Sequence, residues 1–245
     1  MRVAADTERG RTRPDNQDDY RAAAEAEDSL WAVVCDGMGG AAGGALASAL
    51  AVRTVQAVCA HHPERWRQPQ MAKQLALSLV QRSNELVYEQ AESSPDLQGM
   101  GTTIVLLLVS GDVCTIAYAG DSRAYLVRGG QLRQITKDHS VVQEMVDRGI
   151  IAPQDARDHP RKNMITRAVG VLATVEPDLL QFTLEAEDTL LLCTDGLVNA
   201  VSEETIGTVL RETPFFECPR VLLENVLQQA EQDNATVVLC AFDKE

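Results

Sequence analysis

Two stretches constrain this chain most. The run LWAVVC at residues 30–35 leads straight into Asp36-Gly37, and TLLLCT at residues 189–194 leads straight into Asp195-Gly196. A short, unbroken apolar run rich in branched side chains suits a strand buried on both faces. An Asp directly after such a strand stands on a rigid stem and keeps little conformational freedom. Asp121 follows the strand-like run 113–118 within AGDSR, and Asp233-Asn234 stand just before the run 236–240. Asp18 lies in NQDD near the N-terminus. One Asp-Gly pair alone is ordinarily a turn; the recurrence carries the argument. Several strand ends brought to one sheet edge would gather these carboxylates into an anionic cluster. Such a cluster repels itself and raises its own pKa values unless it is compensated. Hard divalent cations such as Mg²⁺ and Mn²⁺ prefer oxygen ligands and relieve that repulsion. No C-x-x-C pair occurs, His61 and His62 are adjacent, and His139 and His159 are isolated, so zinc is not indicated.

Further runs at 103–109, 113–118 and 123–127 read as strands, with Ser110-Gly111-Asp112 as a hairpin turn. Helical patterns lie between the strand clusters. Ala45, Leu46, Ala49, Leu50 and Val52 mark an Ala-rich helix, and Met71, Leu75, Leu79 and Leu86 mark a second within 70–90. Leu223, Val226, Leu227 and Ala230 keep the spacing of a half-buried helix. Ser202 before Glu203-Glu204 reads as an N-cap with an acidic first turn. Clustered strands with segregated helices predict an α+β fold. Residues 136–170 are polar, contain Pro153 and Pro160, and predict a short helix over 141–147 within loop. A long irregular stretch in a compact domain is commonly functional.

With 245 residues, of which 45% are hydrophobic, the chain can bury one sizeable core, and a single domain over 1–245 is expected. A net charge of −14 disfavours nucleic acid and anionic membranes as partners. The charged N-terminus has no signal-like apolar stretch, and the apolar run 104–109 is too short to span a bilayer. A cytoplasmic protein is expected, with its six cysteines reduced.

R-x-x-N-Q-D at 13–18, D-G-M-G-G at 36–40, G-T-T at 101–103, A-G-D-S-R at 119–123, D-H-S at 138–140, T-D-G-L at 194–197 and D-N-A-T at 233–236 follow one another in order. This series resembles the motifs of the bacterial-type protein phosphatase 2C family of metal-dependent serine/threonine phosphatases. The resemblance implies an antiparallel β-sandwich flanked by helices on both sides, with the metal centre at one end. It implies that Asp36 bridges two Mn²⁺ or Mg²⁺ ions, that the Gly37 carbonyl is a further ligand, and that Asp195 and Asp233 ligate one ion. Asp18 would act mainly through bound water, and Asp121 with Asp195 would hold a third, weaker metal. Arg13 would bind the substrate phosphate, and a water bridging the metals would be the nucleophile. The segment 136–170 would match a flap beside the site, where Arg161 and Lys162 face acidic or phosphorylated peptides. Implied partners are phosphorylated proteins and a Hanks-type kinase counterpart, with the enzyme a monomer.

Two positions depart from the family pattern. Gln17 stands where many relatives have Glu, and Met38 stands where eukaryotic members have a His general acid. Two rival readings carry weight. Cys59 and Arg65 share the C-x₅-R spacing of cysteine-dependent phosphatases, but the intervening residues lack the glycines such a phosphate loop needs. The fold kept as a pseudophosphatase or metal-binding regulatory module is the non-enzymatic alternative.

Overall fold

The computed structural model describes residues 1–229 and 233–242, leaving aside the side chains at 41 and 42. Ala230, the last position of the predicted helical spacing, lies outside the described residues.

Two antiparallel sheets face each other. One is ordered β1 (Arg2–Glu8), β11 (Ala235–Ala241), β10 (Thr189–Cys193), β7 (Arg123–Arg128) and β8 (Gln131–Gln134). The other is ordered β2 (Asp18–Ala26), β3 (Ser29–Met38), β5 (Ile104–Ser110), β6 (Val113–Ala119) and β9 (Asp178–Thr183), with the short β4 (Gly101–Thr102) paired to the end of β3.

Successive strand residues point to opposite faces, and the packing follows that alternation. Leu30, Ala32 and Val34 of β3 and Val105, Leu107 and Val109 of β5 meet Leu190, Leu192, Val238 and Cys240 between the sheets. The alternate residues Trp31, Val33 and Cys35, with Ile104, Leu106 and Leu108, lie under α1 (Gly40–Cys59) and α2 (Pro69–Glu92). On the far face Leu191, Cys193, Val237 and Leu239 are covered by α4 (Asp195–Ala200), α5 (Glu203–Glu212) and α6 (Cys218–Val226). The central strands are therefore apolar on both sides, which is why they read as unbroken hydrophobic runs. The layers match the sandwich that the sequence implied.

The buried residues Ala47, Ala51, Val52, Val55 and Cys59 repeat at helical spacing along α1. Their small size lets the helix lie close on β3. Ser202 caps α5 by accepting the Thr205 amide, as predicted. The helix predicted over 141–147 is α3 (Val141–Asp147). Among the described residues no helix is long and apolar enough to cross a membrane.

Candidate metal centre

The inner rows of four strands change character at the same end of the sandwich. On β3 the row Leu30, Ala32, Val34 continues to Asp36. On β2 the partly buried Tyr20 and Ala22 are preceded by Asp18. On β10 and β11 the rows end at Thr194 and Thr236. Asp18 and Asp36 are direct partners in the β2–β3 register. The Thr194 and Thr236 hydroxyls of the opposite sheet donate to Asp18 Oδ2 at 2.9 and 2.8 Å. Asp18 Oδ1 is buried with no hydrogen-bond partner.

Asp195 opens α4 with Thr194 as N-cap, and Asn199 Nδ2 donates to its Oδ2 at 2.9 Å. Asp195 and Asp36 lie close enough for each to affect the other's ionisation. Asp233 stands just ahead of β11, where Arg13 Nη2 donates to its Oδ2 at 2.6 Å. The Asn234 side chain fastens the N-terminal segment here. It accepts the Gln17 amide at 2.9 Å and donates to the Arg9 and Asp15 carbonyls at 2.7 and 3.0 Å. Gln17 Nε2 donates to the Gly40 carbonyl at 2.8 Å.

The glycines after Asp36 and Asp195 serve close approach, not turns. A Cβ on Gly37 would stand 2.1 Å from the Gly44 carbonyl oxygen, and one on Gly196 would stand 2.0 Å from that of Asn234. No side chain fits at either place, so the Asp-bearing backbone lies directly against its neighbour.

A relay through the G-T-T motif joins Asp36 to the Asp121 turn. Thr103 Oγ1 accepts the Asp36 amide at 2.9 Å and lies 2.7 Å from Ser122 Oγ. Arg123 grips Asp138 through Nε and Nη2, at 3.0 and 2.8 Å to its two oxygens. Asp121 and Asp195 line a cavity of about 510 Å³ together with Asp138, Val142, Arg157 and Lys162.

The electrostatics follow from this geometry. Burial, then the charges of Asp195 and Asp233, raise the Asp18 carboxyl to about 7, against the pull of its two threonines. Burial and then Asp18, Asp195 and Asp121 hold Asp36 well above the carboxylate range. Burial and Asp233 raise Asp195, and burial, Asp195 and Asp138 bring Asp121 to about 8. Among the described residues no three His, Cys, Asp or Glu side chains already close on a single ion. The arrangement is a carboxylate cluster of hard oxygens, compensated by Arg13 only at Asp233, with one buried orphan acceptor. That donor set fits Mg²⁺ or Mn²⁺.

The family profile described as Protein phosphatase 2C matches residues 8–234. The chain belongs to the protein phosphatase 2C family. It is 37% identical over 242 residues to the serine/threonine phosphatase stp of Listeria welshimeri, covering 95% of this chain and 92% of that one. It is 38% identical to the serine/threonine protein phosphatase PstP of Mycobacterium tuberculosis, over 98% of this chain and 44% of that longer protein. A solved serine/threonine phosphatase from S. agalactiae superposes with a TM-score of 0.91 at 32% identity, covering 99% of both chains. The catalytic domain of PstP in complex with 2 manganese ions superposes with a TM-score of 0.84 at 36% identity, covering 99% of this chain and 98% of that one. Protein phosphatase 2C enzymes are metal-dependent.

In this protein phosphatase 2C the two sheet ends gather Asp18, Asp36, Asp195 and Asp233, with Arg13 on Asp233. Asp121 lines the cavity together with Asp195, and its charge also acts on Asp36. The tyrosine-phosphatase spacing has no chemistry behind it. Cys59 is buried at the end of α1, and burial pushes its thiol up to about 12. Within the flap Lys162 lines the cavity, whereas Arg161 reaches toward Met145 Sδ, 3.8 Å away. Arg157 is the flap's other cationic residue on the cavity lining, to which β7 adds Arg123. Sequence reasoning held Thr194 and Thr236 only as the ends of the T-D-G-L and D-N-A-T motifs, with no role assigned, and did not single out Arg157. The threonines sit in apolar runs, where a β-branched residue signals only strand.

Proposed function

We propose that the chain hydrolyses phosphoserine and phosphothreonine in proteins at a two-metal centre held by Asp18, Asp36, Gly37, Asp195 and Asp233. One observation carries the reading: carboxylates from both sheets converge, Asp18 buried with its Oδ1 left unpartnered and the others partly buried. Divalent cations bound there would neutralise charge on the transferring phosphoryl group and acidify water near neutral pH. Asp36 faces Asp18 across β2 and Asp195 across the sheet gap, so it is suited to serve two ions. Asp18 is held from behind by two hydroxyls that leave Oδ1 for the site. Arg13 is about half exposed at 53%, and its guanidinium fork suits a phosphate in a bidentate way. Asp121 with Asp195 would take a third, weaker cation. Met38 carries no proton to give, so leaving-group protonation falls to water or another side chain.

The Arg157 and Lys162 side of the cavity suits acidic or phosphorylated stretches of the protein substrate. A serine/threonine kinase is the natural source of such substrates. The enzyme is expected to act as a monomer of one catalytic domain. Its six buried, unpaired cysteines suit the reducing cytoplasm.

The test is phosphopeptide hydrolysis by the wild type and by Asp36→Asn, with Mn²⁺ and with excess chelator. Hydrolysis that needs Mn²⁺ and Asp36 supports the reading. Full activity in chelator removes the metal from it. A folded wild type that binds Mn²⁺ and hydrolyses no phosphoester makes the chain a regulatory metal-binding module instead.

A further inference from the structure

The turn that carries Asp121 is short and glycine-hinged, yet it must hold its carboxylate toward Asp195. Gly120 has a φ of 115°, which L side chains rarely adopt, and a Cβ there would stand 2.6 Å from the Thr103 side chain. Glycine at this place is unavoidable, and the freedom it brings has to be removed by other means.

The D-H-S segment removes it. The Gly120 amide donates to His139 Nδ1 at 3.1 Å, and the His139 amide donates to the Gly120 carbonyl at 3.0 Å. Two residues past Asp121, Arg123 is gripped by Asp138. Asp121 is thus pinned on both sides by consecutive residues of one segment. The His139 ring is only 7% exposed and stacks on Tyr118 with centroids 5.1 Å apart and planes at 10°. Its Nε2 stands 3.4 Å from Asp178 Oδ2 without a formed hydrogen bond. An amide donating to Nδ1 requires that nitrogen to be the acceptor, which places the proton of the neutral ring on Nε2.

The same histidine anchors the flap. Its carbonyl accepts the Thr166 amide at 2.8 Å, and the Met164 carbonyl accepts the Val141 amide at 2.8 Å. The flap's entry and exit are therefore zipped together at His139. Arg167, one residue beyond Thr166, donates to Asp178 Oδ1 at 2.7 Å.

We infer that His139 is a positioning residue that fixes the Asp121 turn to the closed base of the flap through its Nδ1 acceptor. It touches neither substrate nor metal. It sets the backbone from which Asp121 reaches Asp195, so that the flap and the Asp121 carboxylate keep one spatial relation. The functional part of this inference rests on the reading of Asp121 as a ligand of the weaker cation.

Two variants separate the acceptor from the ring. In His139→Asn the side-chain Oδ1 can take the place of Nδ1 and accept the Gly120 amide. In His139→Gln the polar atoms move outward to the level of Nε2, and that acceptor is lost. The readouts are hydrogen exchange of the Gly120 amide in the full chain, and Mn²⁺ binding followed by Mn²⁺ electron paramagnetic resonance. The Asn variant should keep Gly120 protected and keep the weaker Mn²⁺ affinity within about twofold. The Gln variant should lose both, with affinity falling about fivefold to tenfold, the scale of one lost hydrogen bond. Equal behaviour of the two variants, or the reverse order, overturns the proposal. If neither variant folds, the nitrogen chemical shifts of His139 in the wild type decide: a proton on Nδ1 of the neutral ring overturns it. Asp121→Ala is the control. If it leaves weaker Mn²⁺ binding unchanged, Asp121 is not a ligand, and the exchange of Gly120 still judges the strut itself.

Discussion

Replacing Asp18 by Asn should make the metal-free protein more stable. In the folded chain the Asp18 carboxyl is raised from 3.8 to about 7, chiefly by burial. A raised carboxyl favours the protonated form, so the folded state binds a proton that the unfolded chain has released. Stability contributed by this group is intact below pH 3.8 and falls as pH climbs to about 7, above which the loss is constant. With each pKa unit worth about 1.4 kcal/mol, the penalty at pH 8 is about 4 kcal/mol, and at pH 5 it is between about 1 and 2 kcal/mol. Asn keeps the shape and still accepts the Thr194 and Thr236 hydroxyls, but it never ionises. Urea unfolding of wild type and Asp18→Asn in chelator, at pH 5 and pH 8, measures the gap directly. The variant should be more stable at pH 8 by up to about 4 kcal/mol, and the gap should shrink by more than half at pH 5. Saturating Mn²⁺ should stabilise the wild type more than the variant, because a ligand bound only by the folded state adds to its stability. A gap that is absent at pH 8, or the same at both pH values, refutes the argument that Asp18 is an uncompensated buried acid.

Arg13→Ala should raise KM for a phosphopeptide about tenfold with kcat nearly kept, as expected when uniform phosphate binding is lost; steady-state kinetics at saturating Mn²⁺ would show it, and an unchanged KM removes Arg13 from the site. Asp36→Ala should abolish turnover, while Asp121→Ala should leave a measurable fraction that rises with added Mn²⁺; equal losses, with the core metals still bound, contradict that ranking. Met38→His should weaken the dependence of rate on leaving-group pKa across a series of aryl phosphates. A well-placed general acid contributes about 10²–10⁴-fold, and identical slopes for both proteins mean that position 38 does not reach the leaving oxygen.

The strands legible in the sequence were β3, β5, β6, β7, β10 and β11, and all of these lie inside a sheet. The strands not singled out include β1, β2, β8 and β9, which are the four sheet edges. An interior strand here is covered on both faces and reads as an apolar run. An edge strand is covered less, and sequences such as RVAADTE and DDYRAAAEA spread their few apolar residues among charges. Asp36, Asp195 and Asp233 were legible because each stands at the boundary between an apolar run and a Gly or Asn, whereas Asp18 was legible only through its motif. Their supports were not. Thr194 and Thr236 belong to the quoted motifs, but they bond to Asp18 over separations of 176 and 218 residues, and nothing local shows which partner they serve. The Asp-Gly pairs looked like turn glycines, and it takes the positions of Gly44 and Asn234 to see that they clear space for another backbone.

Asp18 reaches the centre only because an edge strand pairs in one particular register. Strand side chains alternate, so a slip of one residue in β2 would turn Asp18 away from Asp36 and set Gln17 or Asp19 opposite it, depending on direction. The pairing runs unbroken from Asp18 to Ala24, and its irregularity falls between Ala24 and Ala26, at the hairpin end. That bulge works as an expansion joint. A residue gained or lost within 25–28 can be absorbed where the ladder is already out of step, while a residue lost within 19–23 would set Gln17 opposite Asp36 and carry the acid out of the cleft. Length variation among descendants of this chain should therefore be tolerated at the β2–β3 hairpin and purged from the strand itself. A scan of single-residue deletions across 19–28, scored for phosphatase activity in cells, would trace that boundary.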